Sequence, residues 1–142
     1  MMKTETKGIE LIKKWEEFIS EPYQDAVGVW TIGFGHTKNV SEHTNPITLD
    51  QAIDYLKQDL WFVERFINAN FDLKQCQFDA LSSFLFNIGT GIKHTHLFHH
   101  LQTNPNSKHV ADHWIEFRNA GGKYLRGLLR RRIDELALYY SW

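Results

Sequence analysis

The stretch WEEFISEPYQDAVGVWTIGFGHT runs from Trp15 to Thr37 and opens on acidic side chains at Glu16, Glu17, Glu21 and Asp25. From Val27 to Gly35 it turns to glycine, aromatic and β-branched residues. The first half reads as the acidic end of a helix. The second reads as a short hairpin, because Val, Ile, Trp, Thr and Phe favour strands. Gly28, Gly33 and Gly35 permit tight turns or a close backbone approach to a ligand. A helix that runs straight into a hairpin can hold two carboxylates at a fixed distance across a cleft.

Upstream, Ile9, Leu11, Ile12, Trp15 and Phe18 recur at helical spacing. They predict a helix from about Thr6 to Phe18. Pro22 is its expected stop, since proline lacks an amide hydrogen and restricts the residue before it. The β region is expected from Tyr23 to about Val40, followed by a polar loop from Ser41 to Ile47. Thr48-Leu49-Asp50-Gln51 reads as a capping box. The helix it opens should reach about Asn68, with Ile53, Leu56, Leu60, Val63 and Ile67 on one face. Its length suits an element connecting two lobes. Asp72-Leu73-Lys74-Gln75 reads as a second capping box. The next helix carries Phe78, Leu81, Leu85 and Ile88 as a stripe, with Phe84 and Phe86 beside it, and stops at Gly89-Thr90-Gly91. A short apolar segment from Leu97 to Leu101 leads to a turn at Pro105. A helix from about Ser107 to Arg118, a break at Gly121-Gly122 and a last helix through Leu125, Leu128, Ile133 and Leu136 complete the chain. The pattern predicts an α+β fold: a small N-terminal hairpin lobe joined by a long helix to a mostly helical C-terminal lobe.

A chain of 142 residues that is 42% hydrophobic can bury a core as one domain. Sixteen Lys and Arg face seventeen Asp and Glu, a formal charge of −1, which argues against a dedicated nucleic-acid binder. The single Cys76 excludes an intrachain disulfide and fits a reducing compartment. No signal peptide and no membrane-spanning helix are expected from the sequence. Five Trp, five Tyr and ten Phe suit core packing and also a groove that stacks on sugar rings.

Glu16 and Asp25 are the pair that can carry chemistry. Glycosidic hydrolysis uses one protonated carboxyl for the leaving oxygen and one ionised carboxylate for water or nucleophilic attack. Residue type alone leaves two solvated surface acids as the alternative. The spacing Glu16-x8-Asp25-x5-Thr31 is followed by Ile32-Gly33-Phe34-Gly35-His36-Thr37. Together with Trp15-Glu16, Tyr23-Gln24-Asp25 and Gly28-Val29-Trp30, this block resembles the phage-type lysozymes, the endolysins of glycoside hydrolase family 24. Gln77 to Leu81, Phe86-Asn87-Ile88-Gly89, Ala120-Gly121-Gly122, and Gly127 to Arg132 with Glu135 extend the resemblance over nearly the whole chain. One departure stands out: the family usually has Glu-Gly where this chain has Glu16-Glu17.

The resemblance implies a single lysozyme-like domain over 1–142, with lobes of roughly 12–59 and 1–11 plus 60–142. It implies a muramidase that cuts the β-1,4 bond between N-acetylmuramic acid and N-acetylglucosamine, inverting at the anomeric carbon. Glu16 would be the general acid. Asp25 would activate or position water, and Thr31 would hold that water. Thr37 and Phe86 match saccharide-contacting positions, with core packing as the other reading of Phe86. His36 is expected to pair with Asp59 as structural support, the alternative being a catalytic base. The C-terminal arginines pair with the general acid or with peptidoglycan carboxylates, the other reading being a solvated basic helix face. No cofactor is implied. His94, His96, His99 and His100 cluster, and His109 and His113 have a spacing that can hold zinc. Without a His-Glu-x-x-His motif or a nearby cysteine they read as a surface cluster, with no metal. The expected partner is the glycan strand of peptidoglycan, with no nucleic acid and no stable membrane association, for a monomer held in the host bacterial cytoplasm until lysis. The alternative function is a catalytically silent peptidoglycan-binding module of the same fold. A third reading is an enzyme of this fold acting on another amino-sugar polymer such as chitin.

Overall fold

Helix α1, Thr6–Glu16, ends two residues before its apolar spacing predicts. Glu17 adopts the left-handed conformation at φ +57°, and its amide donates to the Lys13 carbonyl at 3.2 Å. A left-handed residue just past the last turn is a common helix stop. Pro22 is therefore not the terminator. It lies inside β1, Ile19–Gln24, which pairs antiparallel with β2, Trp30–Gly33. The register shifts between Ile19 and Tyr23. Pro22 falls in that irregular stretch, and both strands of a two-stranded sheet are edges, so its missing N–H is tolerated. Strand pairing begins at Ile19, before the expected Tyr23, and β2 stops at Gly33, well short of Val40. Beyond it, Ile32 and His36 exchange two backbone hydrogen bonds of 2.9 Å, which closes a tight loop through Gly33-Phe34-Gly35.

The left-handed Glu17 explains why glycine is the residue to expect there. An L-residue in this conformation costs about 1–2 kcal/mol. The Glu17 carboxylate also stands at the negative end of the helix dipole. Glycine gives back about 0.4–1 kcal/mol through its freer unfolded chain. Glu17→Gly is thus expected to stabilise the protein by about 0.5–1 kcal/mol, raising the thermal midpoint by roughly 2–4 °C. An unchanged or lower midpoint in calorimetry rejects this account.

The structure is a computed structural model describing residues 1–142. The chain forms two compact units, Lys13–Trp61 and Met1–Ile12 with Phe62–Trp142. In the first unit, α2, Leu49–Asn70, begins at the predicted capping box. The Thr48 amide donates to Gln51 Oε1 at 2.9 Å, and the Gln51 amide donates to Thr48 Oγ1 at 3.1 Å. Ile32, Phe34, Ala52, Leu56 and Leu60 are the buried apolar side chains of this unit. Gly33 lets the hairpin close onto α2. It sits at φ +68°, and a Cβ there would come within 3.2 Å of both Ala52 Cβ and Ile47 Cδ1.

In the second unit, α3, Gln75–Ile88, starts later than the predicted box. Lys74 is the N-cap, and its amide donates to Gln77 Oε1 at 2.9 Å. The Gln75 side chain is engaged elsewhere, donating to the Lys3 carbonyl and to Asp79 Oδ1 at 2.8 Å each. Every residue from Gln77 to Leu85 is buried, and α3 packs against α6, Arg126–Tyr139. Gly89, at φ +92°, ends α3 as the sequence predicts. Two short helices follow, α4, His96–Thr103, and α5, His109–Trp114. α5 stops short of the expected Arg118, because the chain turns there into a small hairpin of β3, Asn119–Ala120, and β4, Lys123–Tyr124. Gly121 and Gly122 take φ values of +57° and +77° at its tip, as a two-residue primed turn requires. No helix is long and apolar enough to cross a membrane.

Candidate active site

The unit Lys13–Trp61 holds the acidic and hairpin residues singled out in the sequence. Glu16 is the last residue of α1 and is half-buried. A Cβ built on Gly35 would lie 3.7 Å from Glu16 Oε2, an ordinary van der Waals contact, so the loop after β2 runs beside the carboxylate. Glu17 is exposed.

Asp25 is fixed by the turn it initiates. Its amide donates to the Val29 carbonyl at 2.9 Å, and Gly28 donates back to the Asp25 carbonyl at 3.0 Å. Gly28 takes φ +85°, the left-handed step such a bulged hairpin loop needs. Asp25 Oδ1 then accepts from the amides of both Val27 and Val29 at 2.9 Å. Oδ2 takes part in neither bond. Thr31 is buried, and its hydroxyl donates to the Val29 carbonyl at 2.9 Å. One turn thus orients both side chains through the backbone of Val29.

Tyr23 joins this group. It lies directly opposite Thr31 in the sheet. Its phenol is pushed above the ordinary tyrosine range, first by burial, then by the charge of Glu16 and then by that of Asp25. The sequence reading gave Tyr23 only as a motif letter. The strand register that places it opposite Thr31 was the signal that could have found it.

His36 is buried and held on two sides. Nδ1 lies 2.9 Å and 3.1 Å from the two Asp59 carboxylate oxygens, and the ring stacks on Tyr55 at 4.3 Å and 5°. The carboxylate makes Nδ1 the N–H donor. This geometry ties the loop after β2 to α2. Thr37 is exposed just beyond it. Phe86 belongs to the other unit, half-buried near the end of α3.

Two C-terminal arginines do not form a solvated face, and neither is turned toward an external carboxylate. Arg131 and Arg132 are buried together with Glu135. Arg132 Nε lies 2.7 Å from Glu135 Oε1, and its Nη2 donates to Oε2 at 3.1 Å and to Asn87 Oδ1 at 2.9 Å. Arg131 Nε donates to Glu135 Oε2 at 3.3 Å. The Ser83 hydroxyl and the Trp114 indole N–H also donate to the carboxylate, at 2.7 Å and 3.2 Å. Burial pushes the Glu135 carboxyl up, and Arg132, Ser83, Arg131 and Trp114 each draw it back. Helical spacing explains the arrangement, because residues three and four apart share a face.

The histidines gather on α4 and α5. The rings of His100 and His113 stack at 4.7 Å, His96 lies 5.5 Å from His113, and His109 lies 6.2 Å from His100. Burial lowers the pKa of His100, and the charges of His113, His99, His109 and His96 lower it further. No group of three or more His, Cys, Asp or Glu side chains is arranged to hold a metal ion.

Comparison with known proteins agrees with this architecture. The family model described as phage lysozyme matches residues 13–135. An endolysin of Acyrthosiphon pisum secondary endosymbiont phage 1 is 36% identical over 141 residues, covering 95% of this chain and 96% of that protein. The endolysin of Salmonella phage P22 is 34% identical over 148 residues, covering 99% and 100% of the two chains. A crystal structure of P22 lysozyme, a point mutant, superposes with a TM-score of 0.87 at 33% identity, covering 98% of this chain and 99% of that one. With the fold, the hairpin motif and relatives of matching length in agreement, the chain belongs to the phage lysozyme family of muramidase glycoside hydrolases.

Proposed function

We propose that the protein is an endolysin that hydrolyses the β-1,4 bond between N-acetylmuramic acid and N-acetylglucosamine in peptidoglycan, with inversion. The observation that supports this most is the shared anchoring of Asp25 and Thr31 by one hairpin turn. Glu16 is the general acid and protonates the glycosidic oxygen as the bond breaks. The Thr31 proton is already engaged by the Val29 carbonyl, so toward a water the hydroxyl offers lone pairs. A water that donates one hydrogen to Thr31 Oγ1 and the other to Asp25 presents its own lone pair to the anomeric carbon. As the new C–O bond forms, Asp25 takes the second hydrogen as a proton, and solvent then restores both carboxyls. Attack from the face opposite the leaving group inverts the centre. Inversion requires carboxyls about 6.5–9.5 Å apart, leaving room for that water. Thr37 and Phe86 are assigned to saccharide contact. The protein acts as a monomer and waits in the host cytoplasm until another factor opens the membrane.

The test is digestion of purified peptidoglycan. Mass spectrometry is expected to find fragments with N-acetylmuramic acid at the reducing end, and NMR to find the α-anomer formed first. A β-anomer as first product overturns the inverting mechanism. Binding without soluble fragments supports the silent module, and release of fragments from chitin alone supports the third reading.

A further inference from the structure

We propose that the histidines of α4 and α5 form a proton-sensitive seam. Neutral imidazoles hold the two helices together, and protonation in mildly acidic solution drives them apart. The proposal is independent of the roles given to Glu16, Asp25 and Thr31.

The geometry is a cluster of rings facing across one joint. His96 and His100 are four apart on α4, and His109 and His113 are four apart on α5, so each pair shares a helix face. α4 packs against α5, and the buried residues of the two helices are apolar: Leu97, Leu101, Val110 and Trp114. His100 and His113 are half-buried beside them. His113 stacks on His100 at 4.7 Å and 18°, and His96 comes within 5.5 Å of His113. His109 and His99 lie 6.2 Å and 6.0 Å from His100. Two neutral imidazoles stack face to face without penalty, and so do one neutral and one charged ring. Two imidazolium rings at this spacing repel each other, and partial burial weakens the screening by solvent and salt.

The carboxylates all stand on one side of the joint. His109 Nδ1 lies 3.2 Å from Asp112, and His113 Nδ1 lies 3.5 Å from Glu116, each acid three residues further along the chain. α4 carries no carboxylate. Lys93 and His94 before α4, and Lys108 at the start of α5, are bases. Other elements reach the two helices through neutral rings: Phe66 on Phe98, and Phe84 and Tyr139 on Trp114. The Tyr140 hydroxyl, also neutral, accepts from the Ala111 amide. Glu135 meets the Trp114 indole, but Arg131 and Arg132 balance its charge. A proton on His109 or His113 is therefore matched by a nearby anion. A proton on His100 then meets a charged ring and no anion of its own helix. Burial first, and then the charges of His113, His99, His109 and His96, hold the His100 pKa below the ordinary histidine value of about 6.5. A base held below its unfolded value binds fewer protons in the fold than in the unfolded chain. Its contribution to stability is complete above about pH 6.5 and is lost as the pH falls through that value.

The test is calorimetry of the full chain between about pH 7.5 and about pH 5.5. His100→Phe keeps a flat ring for His113 to stack on and removes the titrating group. The acid-induced fall in Tm is expected to shrink by roughly 2–4 °C in this variant. His100→Gln is expected to flatten the profile likewise, and it carries the test if the phenylalanine variant does not fold. A role in packing alone would shift the midpoint equally at every pH. His43→Gln is the control, because His43 is exposed and lies outside the cluster; it should keep the wild-type slope. Proton NMR of the histidines gives a second reading. His113→Gln removes the nearest ring and is expected to raise the His100 titration toward about 6.5. Amide hydrogen exchange gives a third: protection in α4 and α5 should fall about tenfold more than in α3 over the same pH range. Equal slopes in wild type and the His100 variants overturn the proposal, as does a His43→Gln profile flattened to the same degree. A His100 titration unmoved by His113→Gln, or a loss of protection shared equally by α3, also overturns it.

Discussion

Glu16→Gln is expected to lose about 10²–10⁴ of the lytic rate, whereas Glu17→Gln keeps nearly all of it. The two acids are adjacent, yet their backbones differ. Glu16 closes the last turn of α1 and lies half-buried, with Gly35 of the loop after β2 beside its carboxylate. Glu17 takes the left-handed step out of the helix and is exposed. Glutamine matches glutamate in shape and hydrogen-bonding reach but cannot deliver a proton, so the fold is retained while the acid is lost. Turbidity loss of outer-membrane-permeabilised cells measures the rate, and circular dichroism of each variant confirms folding. A lytic Glu16→Gln beside an inactive Glu17→Gln reverses the assignment. Residues acting as one unit are strongly non-additive. Adding Asp25→Asn to Glu16→Gln is therefore expected to lower the rate far less than the product of the two single losses.

What the sequence made legible depends on how local the cause was. The Thr48–Gln51 box and the Gly89 stop depend on neighbours within a few residues, and both stand where periodicity and capping chemistry put them. The end of α1 was misplaced because proline is the louder signal. The actual terminator is a glutamate at φ +57°, a conformation that composition does not announce. The second box slipped by two residues because Gln75 finds better acceptors in Lys3 and Asp79, the first of them 72 positions away. The His36–Asp59 contact was readable only through the resemblance, since no local rule links residues 23 apart. Tyr23 and the buried arginines needed the fold itself. Strand register decides the first, and the pairing of α6 with α3 decides the second.

Glu135→Ala is expected to be the most damaging single substitution outside the site, at about 3–5 kcal/mol of folding stability. The carboxylate is fully buried and receives Arg132, Arg131, Ser83 and Trp114. Alanine leaves two guanidinium charges inside the unit without the anion that balances them. It also removes the acceptor from Ser83 and Trp114. A small domain has about 5–15 kcal/mol in total, so the variant should approach the edge of stability. The thermal midpoint should fall by roughly 10–15 °C, read by calorimetry or by urea unfolding. Charge rather than volume is the cause, and the two can be separated. Replacing Arg131, Arg132 and Glu135 together by Met, Leu and Leu removes the charges as well as their partner. That triple variant should be more stable than Glu135→Ala, even though it changes three buried residues instead of one. Were the triple variant the less stable of the two, the loss in Glu135→Ala would have to come from the cavity, at about 24 cal/mol per Å³, and the network would be a packing feature and not an electrostatic one.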